Sequence, residues 1–200
     1  MKRLSFSLIA IAVFAICVSA QDNTWQIDPN HSAAQFAVRH MGISTVRGAF
    51  SKVSGTVQYD PKDPSKTAID VTIDANSIDT RVEARDKDLR SARFFDVEKY
   101  PTITFKSKRV MPGAKGKLKV IGDLAMHGAT QEVVLDVDGP SGPMKDPKGN
   151  QHMGASATTQ LNRQDFGIIA LPNGIGFDIQ IIIDVEMINA APAADSTPKP

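Results

Sequence analysis

Four histidines are the side chains of this sequence best suited to bind a metal or to transfer a proton. They are His31, His40, His127 and His152. No two of them stand two or four positions apart, so a shared metal site would have to be assembled by the fold from distant segments. The sequence also lacks the GxSxG, HExxH, P-loop and dinucleotide-binding signatures. The spacing therefore favours a structural or ligand-lining role for the histidines, and it predicts neither a metal nor a cofactor.

One of these histidines lies in a segment whose alternation is typical of a β-strand. Within the run from 28 to 50, the side chains of Phe36, Val38 and His40 share one face of an extended chain. His40 thus stands where the pattern expects an apolar residue. It is either a core histidine with satisfied hydrogen bonds or a side chain that faces a cavity. Because a strand-built cavity with a few inward polar groups suits a small or lipid-like ligand, His40 is a candidate ligand-binding residue.

A second polar pair, Arg163 and Asp165, stands in the sequence NRQDFG. If this segment is extended, both side chains lie on one side of it. They are then either an exposed ion pair, which contributes little to stability, or the polar tip of an apolar pocket that holds a ligand head group. A buried arginine would require such a partner. Both residues are candidate ligand-binding residues.

The dipeptide Asp28-Pro29 predicts a turn, and His31 and Ser32 follow it. In one interpretation Asp28 and Ser32 bond backbone amides of the turn, and His31 is a polar residue beside them. In the other, the three groups surround a cavity mouth and contact a ligand head group. Both interpretations stay open at the level of sequence.

Apolar side chains on the predicted inner faces form the larger part of the candidate site. Either they fill a solid core or they line a cavity, since the interior of an eight-stranded barrel can do either. The small residues Ala34, Gly48 and Gly122 among them would leave room for a ligand. The apolar candidates are Phe36, Val38, Phe50, Phe105, Leu124, Met126, Phe166, Ile179, Ile181 and Ile183.

Period-two alternation recurs along most of the chain and predicts antiparallel strands with one buried and one wet face. The longest such row is 177–187, with apolar residues at every odd position. Glycines inside strand-like stretches indicate bulges that allow a sheet to close into a barrel. One segment departs from the pattern: Thr80 and Glu83 match a capping box, which predicts a single helix over about 81–91. The sequence predicts an all-β fold, a closed antiparallel barrel with one short helix.

The two ends of the sequence differ in composition from the rest. Residues 1–20 combine Lys2 and Arg3, an apolar stretch and a small-residue site at 18–20, which predicts a signal peptide that also removes Cys17. The mature part would then carry 21 basic and 22 acidic residues, and this near-neutral charge argues against nucleic acid as a partner. We expect one domain over 21–188 and a disordered Ala/Pro-rich tail over 189–200.

Motifs spread over the whole predicted domain resemble those of a known family. They are W-x-I-D-P-x-H-S with F-x-V-R-H-M-G-I-S-x-V-R-G over 25–48, R-D-x-x-L-R-S-A-x-F-F-D over 85–96, Y-P-T-I-T-F-K-S over 100–107, G-D-L-x-x-H-G-x-T over 122–130 and N-R-x-D-F-G over 162–167. The chain resembles the YceI-like, or polyisoprenoid-binding, secreted proteins.

The resemblance implies a lipocalin-like eight-stranded barrel that is often dimeric and encloses a tunnel for a polyprenyl chain or isoprenoid quinone. It also implies a periplasmic or secreted protein, for which transient contact with a membrane is possible. We therefore expect a carrier or store of isoprenoid lipid without chemical turnover. The alternatives are an enzyme that acts on a small apolar substrate with His40, Arg163 and Asp165, and a stress-related interaction protein whose bound lipid is incidental.

Overall fold

The computed structural model describes residues 23–189 as an antiparallel β-sheet with one α-helix. The helix is α1 (Glu83–Arg90). The strands are β1 (Thr24–Ile27), β2 (Ala33–His40), β3 (Ser44–Phe50), β4 (Val53–Gln58), β5 (Ala68–Asp74), β6 (Ile78–Asp79), β7 (Thr102–Pro112), β8 (Lys117–Met126), β9 (Ala129–Lys145), β10 (Gln151–Asn162) and β11 (Ile175–Asn189). The predicted signal peptide, and the tail beyond Asn189, lie outside the described residues.

The eleven strands make a closed barrel of eight, because six of them join end to end into three bent strands. β1 continues into β2, β3 into β4, and β5 into β6, each across a short break. β1 and β2 pair with β4 and β3, which pair in turn with β5 and β6. From β5, each of β7 to β11 pairs with its predecessor, and β11 closes the ring on both β1 and β2. The predicted eight-stranded antiparallel barrel is confirmed.

The two open ends of this barrel carry different elements. One end, here called the helix end, carries α1, the β2–β3 turn at 41–43, the β8–β9 turn at 127–128 and the loop 167–174. The opposite end, here called the terminal end, carries the start of β1, the end of β11 and the turn 146–150. Among residues 23–189, no helix combines the length and hydrophobicity that a membrane-spanning helix requires.

The single predicted helix is present, but the capping box predicted for it is wrong. Val82 is the N-cap and makes no side-chain cap bond. The carboxylate of Asp86, which is buried, instead accepts hydrogen bonds from the Thr80 amide and hydroxyl, and Arg85 Nε donates to the Thr80 hydroxyl oxygen. A positive φ at Arg81 turns the chain so that Thr80 lies beside Asp86 instead of capping the first turn.

The segment that follows α1 covers part of the helix end. Phe95 packs edge-on against Phe50, with ring centroids 5.4 Å apart. It joins a core cluster with Ile78 and Ile103, both buried. The helix itself is mostly charged, but it contributes Leu89 to this cluster, and the segment that follows contributes Phe95 and Val97.

Candidate functional site

The interior of the barrel is hollow. It contains a cavity of about 190 Å³ that extends from Thr67 near the terminal end to Met126 near the helix end. An apolar cavity of roughly 150 Å³ stays dry and holds one benzene molecule. The space inside this barrel therefore suits an apolar ligand of at least that size.

The lining of the cavity is almost purely hydrocarbon. It contains no Asp, Glu, Lys, Arg, His or Cys. Gln35 and Ser156 contact it, but both of their side chains hydrogen-bond to Asp184 on the outer face. The polar side chains left on the inside are Tyr59, Thr67 and Thr159. Since dispersion and burial are non-directional, such a lining selects a ligand by shape and length and not by charge.

Seven of the apolar residues singled out from the sequence line this cavity. They are Phe36, Phe50, Phe105, Leu124, Met126, Ile181 and Ile183. That they contact a ligand stays a prediction. The candidate residues did not include the inward rows of β4, β5, β9 and β10 or the first half of the β8 row, of which Val57, Val71, Leu135, Ala157 and Val120 are examples. The same period-two alternation marks these rows, so the signal was present in the sequence.

Three apolar candidates lie outside the cavity. Val38 and Ile179 are register partners on β2 and β11, half-buried toward the helix end. Phe166 is buried in the short helical turn after β10 and packs below the loop 167–174. Alternation places Val38 and Ile179 on the inner row of their strands, but the barrel wall extends past the cavity at this end.

His40 is neither a core residue nor part of the cavity lining, contrary to both interpretations of the sequence. His40 is the last residue of β2, and it is exposed. It pairs with Ser44 across the β2–β3 turn and with Ile175 of β11. At this position β2 extends beyond the core. The residue that the period-two pattern assigns to the inner face is therefore not buried.

Neither Arg163 nor Asp165 lines the cavity, so their contacts do not support the role predicted for them as the polar tip of the pocket. Arg163 is 5% exposed, and it donates to three backbone carbonyls: Nη1 to Ile168 O at 2.7 Å, Nε to Gly176 O and Nη2 to Ile175 O at 3.0 Å. Its guanidinium also stacks 4.7 Å from the centroid of Phe177. Asp165 is exposed. The partners that a buried arginine requires are carbonyl oxygens here, and Arg163 holds the loop 167–174 in place.

Gly48 and Gly122 do not leave room for a ligand, contrary to expectation. A Cβ on Gly48 would lie 2.5 Å from the Phe36 ring, and a Cβ on Gly122 would lie 2.6 Å from the Phe105 ring and 2.5 Å from Lys106 O. Each glycine is therefore covered by the aromatic ring of a neighbouring strand. The glycines make room for the rings, and the rings form the wall of the cavity.

Replacing Gly122 by alanine is expected to destabilise the barrel by about 1–3 kcal/mol, the usual cost of overpacking. The backbone oxygen of Lys106 cannot yield as a flexible side chain could. Urea unfolding of the variant would measure the loss. Gly174→Ala is the matched control, because its nearest non-neighbour atoms are 3.9 Å away, and equal losses in the two variants would contradict the prediction.

Two of the four histidines meet on the outer wall near the terminal end, together with three carboxylates. His31 Nδ1 is 2.7 Å from Asp28 Oδ2, His152 Nδ1 is 2.7 Å from Glu186 Oε1, and His152 Nε2 is 3.4 Å from Asp146 Oδ2. Donor atoms of Asp28, His31 and Glu186 lie within 4.8 Å of one another. The fold thus brings together a cluster that the sequence spacing could not show, although hydrogen bonds within it already engage these groups.

This cluster shapes the break between β1 and β2. Asp28 Oδ1 accepts from the Asn30 amide at 2.9 Å. The Ser32 hydroxyl oxygen accepts from the Glu186 amide at 3.1 Å and thereby ties the turn to β11. Neither Asp28, His31 nor Ser32 lines the cavity, so the turn-building interpretation describes their contacts, and the cavity-mouth interpretation does not.

Stability should decrease with rising pH because of this cluster. The hydrogen bond to Asp28 raises the pKa of His31, and the hydrogen bond to Glu186 raises the pKa of His152. The folded pKa of each therefore lies above its ordinary value of 6.5, so the stabilisation is complete below pH 6.5 and is lost as the pH rises through the folded pKa. We expect the free energy of unfolding to decrease as the pH rises over this range. In the double variant His31→Gln/His152→Gln, this decrease should be much smaller. An unchanged pH dependence in the double variant would contradict the assignment.

His127 has a turn role, as its position after β8 indicates. His127 and Gly128 both have positive φ and form the two-residue turn that joins Met126 to Ala129. His127 Nδ1 lies 2.9 Å from Phe166 O, and its ring meets Tyr100 edge-on. It thus ties the β8–β9 turn to the segment below the loop 167–174.

Comparison with known proteins gives consistent matches over the barrel. A family model described as YceI-like domain matches residues 25–187. A UPF0312 protein of Vibrio cholerae serotype O1 is 35% identical over 186 residues, which cover 92% of this chain and 98% of that protein. The crystal structure of the Campylobacter jejuni YceI protein is 31% identical, with a TM-score of 0.65, and the match covers 76% of this chain and 90% of that one.

A more distant structure shares the fold. It is described as a polyisoprenoid binding domain from Saccharophagus degradans implicated in plant cell wall breakdown. It is 14% identical, with a TM-score of 0.63, and the match covers 83% of this chain and 98% of that one. At this identity the likeness concerns the barrel architecture alone.

Proposed function

This chain belongs to the YceI-like family, and on that premise we propose that it binds an isoprenoid lipid inside its barrel, as a carrier or store without chemical turnover. The ligand class is a polyprenyl chain or an isoprenoid quinone. A distant relative by fold is described as a polyisoprenoid binding domain, which supports this choice.

The observation that carries the proposal is the hydrocarbon lining of a cavity that extends along the barrel. Burial of one five-carbon isoprene unit from water is worth about 3–4 kcal/mol at about 0.8 kcal/mol per carbon. An isoprenoid taken from a bilayer, however, leaves one apolar environment for another. The preference of the protein for a given lipid then depends on how well the chain fits the cavity, which favours slow and selective exchange.

The alternative of an enzyme has no support from its proposed residues. His40 is exposed, the three donor nitrogens of Arg163 are engaged by carbonyl oxygens, and Asp165 is exposed. General acid–base catalysis requires a titratable group within hydrogen-bond reach of the substrate. Of the residues that line the cavity, Tyr59, with its phenol hydroxyl, is the one whose side chain could exchange a proton with a ligand as an acid or base.

We further propose that the protein works in the periplasm or outside the cell, after removal of residues 1–20, and that it exchanges lipid with a membrane. The features that support export are the basic residues and the apolar stretch of that segment. A homodimer is part of the same proposal and rests on the family resemblance alone. Sedimentation of the purified mature protein would test the dimer.

Mass spectrometry of the lipid that co-purifies with the protein tests the ligand class. We expect a prenyl species in stoichiometric amount, and uptake of a short-chain isoprenoid quinone after delipidation. Trp25, the single tryptophan, packs with the cavity-lining Val57 and Met187, so quenching of its fluorescence by the quinone would report uptake. Absence of a prenyl species together with absence of uptake would overturn the proposal.

A further inference from the structure

Exposed apolar side chains concentrate at the helix end of the barrel. Nine large hydrophobic residues are exposed among residues 23–189, and five of them lie at this end. They are Met41 and Ile43 in the β2–β3 turn, Ile169 and Leu171 in the loop 167–174, and Val82 at the start of α1. Ile43 is 80% exposed and Ile169 is 64% exposed. Single exposed apolar residues need no explanation, but a group of them at one end of a barrel does.

The turn and the loop form one surface. The Met41 amide donates to Gly174 O at 2.8 Å, so the β2–β3 turn rests directly on the loop. Three bonds from the buried Arg163 hold the loop at Ile168 and the adjoining start of β11 at Ile175 and Gly176. Met41, Ile43, Ile169 and Leu171, here called the apolar tip, are therefore presented to solvent by braced backbone and not by a loose chain.

The charges around the apolar tip suit a bilayer with anionic headgroups. The stretch from Gly167 to Phe177 contains no charged residue. The stretch from Arg39 to Arg47 contains two arginines and one histidine, and no carboxylate. Asp165 and Asp178 lie outside both stretches, at the base of the loop. An apolar surface flanked by cations is the combination that binds lipid interfaces.

Two apolar rows extend from the cavity toward the end of the barrel at which the apolar tip lies. Ile183 and Ile181 line the cavity, and Ile179 and Phe177 extend the same inner row of β11 toward the helix end. Val38 stands opposite Ile179 and extends the row of Phe36 in the same way. These rows offer apolar side chains beyond the cavity to an alkyl chain that leaves it toward the helix end.

We propose that the apolar tip docks the helix end onto a lipid bilayer, with Met41, Ile43, Ile169 and Leu171 entering the interface and Arg39 and Arg47 contacting anionic headgroups. This inference rests on the proposed lipid-carrier function and gives it a membrane-facing surface. Docking in this orientation aligns the apolar rows of β2 and β11 with the bilayer, so that a lipid can pass between membrane and barrel without crossing water.

Vesicle flotation tests the docking surface. The probe is vesicles of phosphatidylcholine with phosphatidylglycerol, and the variant is Ile43→Ser/Ile169→Ser in the mature protein. We expect the bound fraction to fall at least tenfold relative to the wild type. The matched control is Met111→Ser/Met144→Ser, which removes two exposed methionines of the terminal end and should float like the wild type. Arg47→Gln should weaken binding on vesicles with phosphatidylglycerol and leave binding to pure phosphatidylcholine unchanged.

The outcomes separate docking from lipid carriage. Equal flotation of the double variant and the wild type, or no flotation of the wild type, would overturn the docking surface. A wild type that does not float but sediments as a dimer, with the double variant a monomer, would show that a second copy covers the apolar tip and would also overturn it. A wild type that floats, with a double variant that does not, supports docking even if neither contains prenyl lipid, in which case only the carrier function fails.

Discussion

Replacing Ala157 by phenylalanine is expected to lower the amount of isoprenoid lipid retained by the protein at least tenfold. Ala157 lies in the middle of β10, between Val137 and Ile183, and its side chain faces the cavity. One benzene molecule fills a cavity of roughly 150 Å³, so a phenyl ring at this position would take most of the about 190 Å³ available. Quantitative mass spectrometry of the purified variant measures the effect.

The neighbouring position gives the control. Thr158 is on the same strand with its side chain exposed on the outer face, so Thr158→Phe adds the same ring without filling the interior. We expect it to retain as much lipid as the wild type. Thermal unfolding of both variants should show intact folds, since the added ring in Ala157→Phe enters existing space. Full lipid retention by a folded Ala157→Phe would mean that the ligand lies elsewhere.

Replacing Arg163 by methionine is expected to reduce the free energy of unfolding by about 3–5 kcal/mol. A hydrogen bond to a charged group contributes about 1.5–3 kcal/mol, and the three bonds of Arg163 are not additive because they hold one loop. Burial lowers the pKa of Arg163, but arginine stays charged at any physiological pH, so the carbonyl oxygens compensate a permanent charge. Denaturant unfolding measures the loss.

Two further variants distinguish a loop brace from a ligand contact. Arg163→Lys keeps the charge but cannot reach three carbonyls with one ammonium group, so we expect an intermediate loss of stability. Arg109→Met, at an exposed position of β7, should stay within about 0.5 kcal/mol of the wild type. If Arg163→Lys were fully stable and yet lost its lipid, the head-group role that the sequence suggested would be the correct one.

The alternation of apolar residues was sufficient to predict the barrel and much of its lining. In β11 every odd residue from Ile181 to Met187 lines the cavity, as period two requires. The same rule failed at His40 and Ile179, because it assigns a side chain to a face but not to a depth along the barrel. Depth depends on where the neighbouring strands end, and that register is known only once the strands are paired.

The polar residues were predicted less well, for a different reason. A sequence shows that Arg163 needs acceptors, but it cannot show that these are the carbonyls of Ile168, Ile175 and Gly176. In the same way, the sequence suggested that Gly48 and Gly122 leave empty space, whereas in the structure the rings of Phe36 and Phe105 lie over them. Interactions with backbone atoms, and the filling of gaps by a neighbouring strand, have no periodicity from which they could be read.

The absence of Asp, Glu, Lys, Arg, His and Cys from the cavity lining has a consequence for how such a binding site can change. A pocket that recognises charge can switch ligands only if several groups are replaced together, because each needs its partner. Here an exchange such as Ile183→Val or Val120→Ile changes the dimensions of the cavity by one methylene group and leaves no polar atom without a partner. Descendants of one ancestral barrel could thus adopt hydrocarbon guests of different size by single, independent steps, and a designer could follow the same route.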